Sequence, residues 1–224
     1  MASFDARIKR GFGMICVGPP LSGKTHFTKS LLKHAARLID GQFDYIYWFY
    51  GQQTASITEL DDTIKTHAGL PENLDDVIQA TNPVTGKPQH GLLVFDDLMQ
   101  SVSANEGIAR LAANRCQHEN ISWIVLLQNL FHRGNARLTL LRCCHYLVLF
   151  KNPLDHSTAH HLARRILPGK PEAFIRIYER ATEKPNGYLF VDGRQSTPED
   201  ARFRTDIFNE VQRVFIPKAA KNVN

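Results

Sequence analysis

The residues best suited to chemistry stand in three short blocks, and each block follows an apolar run. The first block is Gly18-Pro19-Pro20-Leu21-Ser22-Gly23-Lys24-Thr25. It has the spacing G-x-x-x-x-G-K-[ST] and lies between an apolar run and an amphipathic segment. Glycines at both ends allow the chain to curl until successive backbone N–H groups point inward, where they bind phosphate oxygens. The block therefore predicts a phosphate-binding loop, and we include the adjoining His26 in the binding segment.

Two side chains of this loop have predicted roles of their own. In loops with this spacing the lysine ammonium, here Lys24, reaches the β- and γ-phosphates of a nucleotide. The threonine hydroxyl, here Thr25, ligates the accompanying Mg²⁺. The sequence therefore predicts ATP and Mg²⁺ as the ligands of the loop.

The second block is the pair Asp96-Asp97, which follows the apolar run Leu92-Leu93-Val94-Phe95. A buried strand ending in two carboxylates places them at the edge of a sheet where ligands bind. We expect Asp96 to hold Mg²⁺ through its water shell. We expect Asp97 to orient and deprotonate the attacking water as a general base. The alternative is that the pair only caps a helix that follows.

The third block is Gln128-Asn129 at the end of the apolar run over residues 121–127. If this strand lies between the strands of the first two blocks, Gln128 faces the γ-phosphate or the lytic water and senses the phosphate. The alternative is a turn with Asn129 in a left-handed conformation.

Phosphoryl transfer also needs arginines, often from a second subunit. The candidates that follow this strand are Arg133, Arg137 and Arg142.

The elements that position these blocks are predicted by short apolar runs that alternate with helical patterns. The runs cover residues 12–17, 45–50, 92–95, 121–127 and 146–150. Candidate helices cover residues 24–38, 57–67, 106–114 and 157–166, and one more helix after Pro171 precedes a strand over 188–192. Nearly continuous hydrophobicity indicates strands buried on both faces, so we predict an α/β fold with a mostly parallel sheet. We interpret the aromatic run 45–50 as core rather than as a surface for base stacking.

Length, composition and charge narrow the class of protein. The 224 residues suit one domain, which we place at 1–217, followed by a short polar tail at 218–224. The net charge of +5 and a pI of about 9.1 suit a polyanionic partner. Five basic residues in the last third of the chain either bind DNA phosphates or form a solvent-exposed helix face. They are Arg164, Arg165, Lys170, Arg176 and Arg180. The absence of a long apolar run or a secretory signal argues for an intracellular or virion-associated protein without a membrane partner.

Taken together, the blocks resemble a known family. The phosphate loop, the strand Leu92-Leu93-Val94-Phe95-Asp96-Asp97-Leu98-Met99 and the block Gln128-Asn129-Leu130-Phe131 occur in that order. They are followed by Phe150-Lys151-Asn152-Pro153 and Gly187-Tyr188-Leu189. Over residues 12–208 the chain is similar to poxvirus-type genome-packaging ATPases, especially those of adintoviruses and polinton-like elements, within the FtsK/HerA superfamily.

This resemblance implies a fold, an assembly and an activity. It implies a RecA-like core with strands in the order 5-1-4-3-2, a ring of five or six copies, and ATP-driven pumping of double-stranded DNA into a capsid. It supports Lys24, Thr25, Asp96, Asp97 and Gln128 in the roles above. The chain departs from the family at Leu154, because relatives usually have arginine between the proline and the aspartate of the Asn-Pro-Arg-Asp block.

Three functional hypotheses follow. The preferred one is a DNA-translocating packaging ATPase in a host cell nucleus or cytoplasm or in the virion, with capsid proteins as possible partners. The second is a P-loop ATPase that drives assembly or secretion without DNA. The third is a nucleotide-binding module that does not hydrolyse ATP.

Overall fold

The secondary structure alternates between strands and helices along the chain. The computed structural model describes residues 4–52, 55–78, 81–82, 85–98, 108, 112, 120–131 and 135–217, without the side chains of 56, 75 and 135–137. The strands are β1 (Ile8–Lys9), β2 (Gly13–Val17), β3 (Ile39–Asp40), β4 (Tyr45–Tyr50), β5 (Ile64–Ala68), β6 (Gly91–Asp96), β7 (Ile121–Leu127), β8 (Tyr146–Phe150), β9 (Tyr188–Asp192), β10 (Phe203–Thr205) and β11 (Arg213–Phe215). The helices are α1 (Lys24–Lys33), α2 (Ala35–Leu38), α3 (Ala55–Thr58), α4 (Asn135–Cys143), α5 (Ser157–Ile166) and α6 (Pro171–Ala181).

One large sheet organises these elements. Its nine strands run in the order β11-β10-β9-β8-β2-β7-β6-β4-β5, and β1 pairs separately with β3. The strands from β8 to β5 are parallel, whereas β9, β10 and β11 each pair in the antiparallel sense. The predicted α/β class with a mostly parallel sheet is confirmed, although the sheet has mixed polarity. Counted along the chain, the five strands predicted from apolar runs stand in the order 5-1-4-3-2.

Alternating side chains divide the core into two layers, one on each face of the sheet. On one face, Phe27 and Leu31 of α1 pack over Met14, Cys16 and Trp48. The other face is covered mainly by α5 and α6, whose buried residues join those of the central strands. Because both faces are covered, the parallel strands from β8 to β4 contain almost no polar side chains, which is why their sequences form continuous apolar runs.

The helix predicted over residues 57–67 is wrong. The structure has only the short helix α3 there, followed by β5 as a parallel edge strand beside β4. The Asp61 carboxylate accepts hydrogen bonds from the Thr63 N–H at 2.9 Å and the Thr63 hydroxyl at 2.7 Å, which closes a turn before the strand. The β-branched Ile64 and Thr66 then favour an extended chain.

The first predicted helix, over residues 24–38, is also divided. α1 ends at Lys33, and His34 has φ −105° and ψ 18° between α1 and α2. The His34 ring Nδ1 lies 2.8 Å from the Ser30 carbonyl oxygen, so the imidazole pairs with the last turn of α1. Of the helix predicted over 106–114, all but residues 108 and 112 lies outside the described part of the chain.

A buried polar pair joins the amino ends of the parallel strands. The His90 side chain is 3% exposed, and its Nε2 lies 2.9 Å from the Ser122 hydroxyl. Its Nδ1 faces the Gln42 carbonyl oxygen at 3.2 Å, so the neutral ring donates through Nδ1 and accepts through Nε2. Burial lowers the pKa of His90; the Gln42 carbonyl and the Asp44 charge oppose this effect, whereas the Arg10 charge adds to it.

We expect acid to weaken the fold through His90. Above about pH 6.5 the ring is neutral in both states, and below it only the unfolded chain takes up a proton readily. The free energy of unfolding should then fall by up to about 1.4 kcal/mol per pH unit for this group. Urea unfolding between pH 5 and 8 measures how the free energy of unfolding depends on pH. His90→Gln, which does not titrate, should show a shallower slope, and an identical slope in both proteins would contradict this account.

Candidate nucleotide-binding site

The phosphate loop leaves β2 at the carboxyl edge of the parallel strands. The Gly18 N–H donates to the Leu127 carbonyl oxygen at 3.1 Å, so the start of the loop is tied to the end of β7. At its other end the Gly23 carbonyl accepts from the Phe27 N–H at 2.8 Å, in the first turn of α1. The loop therefore connects a central strand directly to a helix N-terminus, as the sequence predicted.

Close contacts explain both glycines of the loop. A Cβ atom on Gly18 would lie 2.6 Å from the Phe150 Cβ and 2.8 Å from the Ser22 Oγ. Gly23 has φ 99°, in the left-handed region that disfavours other residues. Leu21 also has a positive φ of 60° and is 99% exposed at the tip of the loop. The Ser22 Oγ is buried inside the loop and has no hydrogen-bond partner among the described residues.

The Lys24 ammonium lies across the mouth of the loop. Its Nζ donates to the carbonyl oxygens of Gly18 and Pro19, each at 2.8 Å. Burial lowers the pKa of Lys24, against the opposing charges of Asp96 and Asp97. Among the described residues, the hydrogen-bond acceptors of this ammonium are thus uncharged backbone oxygens, which are weaker partners than anionic oxygens.

The structure brings Thr25 and Asp96 together. The Thr25 hydroxyl donates to the Asp96 Oδ2 at 3.1 Å, across from α1 to the end of β6. Burial raises the pKa of Asp96, and the hydrogen bond from Thr25 opposes that rise. A hydroxyl and a carboxylate at this separation offer the hard oxygen ligands that Mg²⁺ prefers, so the pair fits the predicted ion.

Asp97 and Gln128 form a second pair beside the first. The Gln128 Nε2 donates to the Asp97 Oδ1 at 2.8 Å. Asp97 has φ 53°, an uncommon conformation that turns the chain out of β6 directly after Asp96. The structure also places β7 between β2 and β6, which was the condition for Gln128 to face the phosphates. The alternative with a left-handed Asn129 is not observed, since Asn129 has no positive φ.

A turn that sequence reasoning did not assign lies beside the loop. Val17, Gly18, Gln128, Asn152 and Asp155 line a small cleft there. The Asn152 Oδ1 accepts from the N–H groups of Leu154 and Asp155, both at 3.2 Å, and the Asn152 N–H donates to the Tyr178 hydroxyl at 3.1 Å. The turn is therefore rigid, and it presents Leu154, which is 97% exposed. Asn152 and Asp155 are the residues that could have indicated this turn from the sequence, because Asn and Asp side chains commonly bond to the backbone of turns.

Of the three predicted arginines, the structure describes the side chain of Arg142 alone. Arg142 is exposed at the end of α4, which returns from β7 to the amino end of β8. The His145 N–H donates to the Gly13 carbonyl, so the end of α4 lies at the amino end of β2, and the phosphate loop follows the other end of that strand. The assignment of Arg142 to the site of the same chain is not supported, and a role in a second copy stays a prediction. Arg133 and the side chain of Arg137 lie outside the described residues.

The family comparison decides the classification. The family described as poxvirus A32 protein matches residues 2–148, about two thirds of the chain. The chain belongs to this family. The resemblance to poxvirus-type packaging ATPases is thus confirmed, and this A32 family member is an ATPase of the P-loop class. No curated protein matched the sequence in the corresponding comparison.

Solved structures share the fold at low sequence identity. The DNA-packaging ATPase B204 of Sulfolobus turreted icosahedral virus is 11% identical, with a TM-score of 0.57 over 93% of this chain and 98% of that one. B204 of Sulfolobus turreted icosahedral virus 2, in complex with ATPγS, is 13% identical, with a TM-score of 0.54 over 93% and 98%. EssC ATPases 2 and 3 of Geobacillus thermodenitrificans are 12% identical, with a TM-score of 0.56 over 95% and 41%. These likenesses show a P-loop ATPase fold.

We expect Lys24→Ala to lower kcat/KM for ATP hydrolysis by about 100- to 1000-fold, the loss typical of removing one donor that stabilises developing charge. Stability should change little, because the ammonium bonds to uncharged backbone carbonyls and burial already disfavours its charge. Steady-state hydrolysis and thermal unfolding measure the two effects. Lys29→Ala, one turn later on α1, is the control and should keep its activity. Equal losses in both variants would contradict the assignment.

Proposed function

We propose that the chain hydrolyses ATP at the carboxyl edge of β2, β7 and β6 and uses the energy to move double-stranded DNA into a viral capsid. The observation that supports this most is the convergence of two side-chain pairs beside the phosphate loop, Thr25 with Asp96 and Gln128 with Asp97. Membership of the poxvirus A32 family supports genome packaging as the process that the ATPase drives.

The phosphate loop is proposed to bind the triphosphate. Within the segment Gly18–His26, the backbone N–H groups from Gly23 to His26, at the N-terminus of α1, face the phosphate oxygens. The Gly18 N–H already donates to Leu127, and Pro19 and Pro20 have no N–H. The Lys24 ammonium leaves the carbonyls of Gly18 and Pro19 for the β- and γ-phosphates, since a charged acceptor bonds it more strongly. The buried Ser22 hydroxyl, unpartnered among the described residues, is a further donor inside the loop.

Thr25 and Asp96 are proposed to hold Mg²⁺, Thr25 directly and Asp96 through the ion's water shell. When bound, the ion neutralises charge that develops on the β- and γ-phosphates. Asp97 accepts a proton from the attacking water, and Gln128 orients that water or the γ-phosphate. The hydrogen bond between Gln128 and Asp97 holds the two groups in contact before substrate binds.

Contact with DNA is proposed for the exposed basic faces of α5 and α6. Arg164, Arg165, Arg176 and Arg180 are exposed there, and none of them forms an ion pair with a described carboxylate. Contacts with phosphates are independent of base sequence and weaken as salt rises.

No helix within the described ranges combines the length and apolar character needed to cross a bilayer. We place the protein inside the host cell or in the virion.

A ring of five or six copies is proposed because phosphoryl transfer is commonly assisted by an arginine from a neighbouring subunit. Among the described residues, Lys24 is the cation that hydrogen-bonds to the phosphate loop. An arginine from a second copy would add a positive charge that stabilises phosphoryl transfer. Leu21 and Leu154 project from two loops that adjoin the same cleft and are almost fully exposed. A second copy that covers these leucines would lie over the phosphate loop and could supply that arginine.

The test of the proposed function is ATP hydrolysis at low salt with and without linear double-stranded DNA, with Lys24→Ala as the blank. We expect stimulation that is independent of DNA sequence and that decreases as salt rises. Hydrolysis indifferent to DNA in a confirmed oligomer would favour the second hypothesis, an ATPase for assembly or secretion. Nucleotide binding with no turnover, unchanged in Asp97→Asn, would favour a non-hydrolysing module.

We expect Leu154→Ser to weaken self-association by about tenfold or more, because burying a leucine contributes about 1.5–3 kcal/mol. The thermal unfolding midpoint should not change, since the side chain touches little of its own chain. Sedimentation over a range of protein concentrations measures the association. Val211→Ser removes a side chain that is 81% exposed next to β11 and is the control. Association that is equal in Leu154→Ser and wild type would remove Leu154 from the interface.

A further inference from the structure

Trp48 of β4 contains a buried donor without an acceptor. Its side chain is fully buried on the α1 face of the sheet. Its indole Nε1 is shielded from solvent and forms no hydrogen bond of normal geometry with any described residue. A buried N–H left unpaired costs about 1–3 kcal/mol, so most buried donors in folded proteins are paired. A phenylalanine would fill most of this space without that cost.

The pairing of β4 with β6 places this donor close to Asp96. In the parallel register Trp48 lies opposite Val94, and Tyr50 lies opposite Asp96. Side chains two residues apart on a strand share a face, so Trp48 and Asp96 are diagonal neighbours on the α1 face. Burial, the largest effect, raises the pKa of Asp96, whereas the Thr25 hydroxyl and the Trp48 indole N–H both lower it. The strand register thus places the unpaired indole N–H and the Asp96 carboxylate on the same face, one diagonal step apart, without a hydrogen bond between them.

We propose that Trp48 is a positioning residue, whose indole N–H completes a hydrogen bond to the Asp96 carboxylate when nucleotide and the divalent cation bind. This inference rests on the proposed function, in which Asp96 holds that cation. Carboxylates that serve metal ions are themselves held by outer hydrogen bonds, and loss of such a partner commonly lowers metal affinity by 10- to 100-fold. Thr25 provides one such bond to Oδ2, and Trp48 provides the second.

Trp123 is a matched control within the same chain. It is the only other tryptophan, it is 1% exposed, and its Nε1 also has no partner among the described residues. It lies in β7 but belongs to the core layer on the opposite face of the sheet, away from Asp96 and α1. Its ring packs on Gly13, where a Cβ atom would lie 2.2 Å from Trp123 Cζ2. Trp123→Phe therefore removes an equivalent buried N–H far from the proposed metal ligands.

The experiment compares Mg²⁺-dependent nucleotide binding in wild type, Trp48→Phe and Trp123→Phe, with a fluorescent non-hydrolysable ATP analogue. We expect the Mg²⁺ concentration at half-saturation to rise about tenfold or more in Trp48→Phe. In Trp123→Phe it should stay within about twofold of wild type. Binding of the analogue in EDTA should be equal in all three proteins, because the indole acts only through the metal-holding carboxylate.

Intrinsic fluorescence gives a second measurement that does not depend on the stability of Trp48→Phe. In Trp123→Phe the sole tryptophan is Trp48. Its emission, excited selectively over tyrosine, should change when Mg²⁺ is added to the nucleotide complex. Two results would overturn the role of Trp48. One is an equal Mg²⁺ concentration at half-saturation in the two variants, and the other is Trp48 emission that does not change when Mg²⁺ is added. Wild-type nucleotide binding that ignores Mg²⁺ would instead overturn the metal site of the proposed function, and the role of Trp48 with it.

Discussion

The insertion of β7 between β2 and β6 is the constraint on which the site depends. Parallel strands end at the same edge, so this one neighbour relation brings the phosphate loop, the two aspartates and Gln128 together. This strand order also requires close packing at the amino ends of β2 and β7, because the Trp123 ring occupies the space where a side chain at Gly13 would lie. A larger residue at position 13 would push β7 away from β2 and weaken the Gly18–Leu127 hydrogen bond that ties the phosphate loop to β7.

Two opposite charges at this edge are both disfavoured by burial. Burial lowers the pKa of Lys24 and raises the pKa of Asp96, so each group is less stable in its charged form than in water. A triphosphate stabilises the ammonium, and a divalent cation stabilises the carboxylate. In the proposed function, therefore, binding of the two ligands relieves two unfavourable charges at once. Buried hydroxyl and indole donors beside the site, Ser22 and Trp48, fit the same pattern of groups that gain partners on binding.

Much of this arrangement could be predicted from sequence, because apolar runs that end in polar residues identify strands of a parallel sheet and the edge where they bind ligands. The loop with Lys24 and Thr25 and the aspartate pair are local patterns of this kind. The strand β5 was missed because its side chains are mostly exposed and its pattern is not apolar. The pairing of Gln128 with Asp97 and the place of Trp48 depend on strand register. The distance of Arg142 from the loop depends on where a helix ends, and no local pattern encodes it.

The most direct test of the central claim is movement along DNA. A linear duplex with a bound third strand reports translocation, because a motor that advances along the duplex displaces that strand. The account predicts displacement by the assembled protein with ATP and Mg²⁺, and none with a non-hydrolysable analogue or with Lys24→Ala. Hydrolysis that is stimulated by duplex DNA but never displaces the third strand would contradict it. The ATPase would then use DNA as an activator and not as the cargo that it moves.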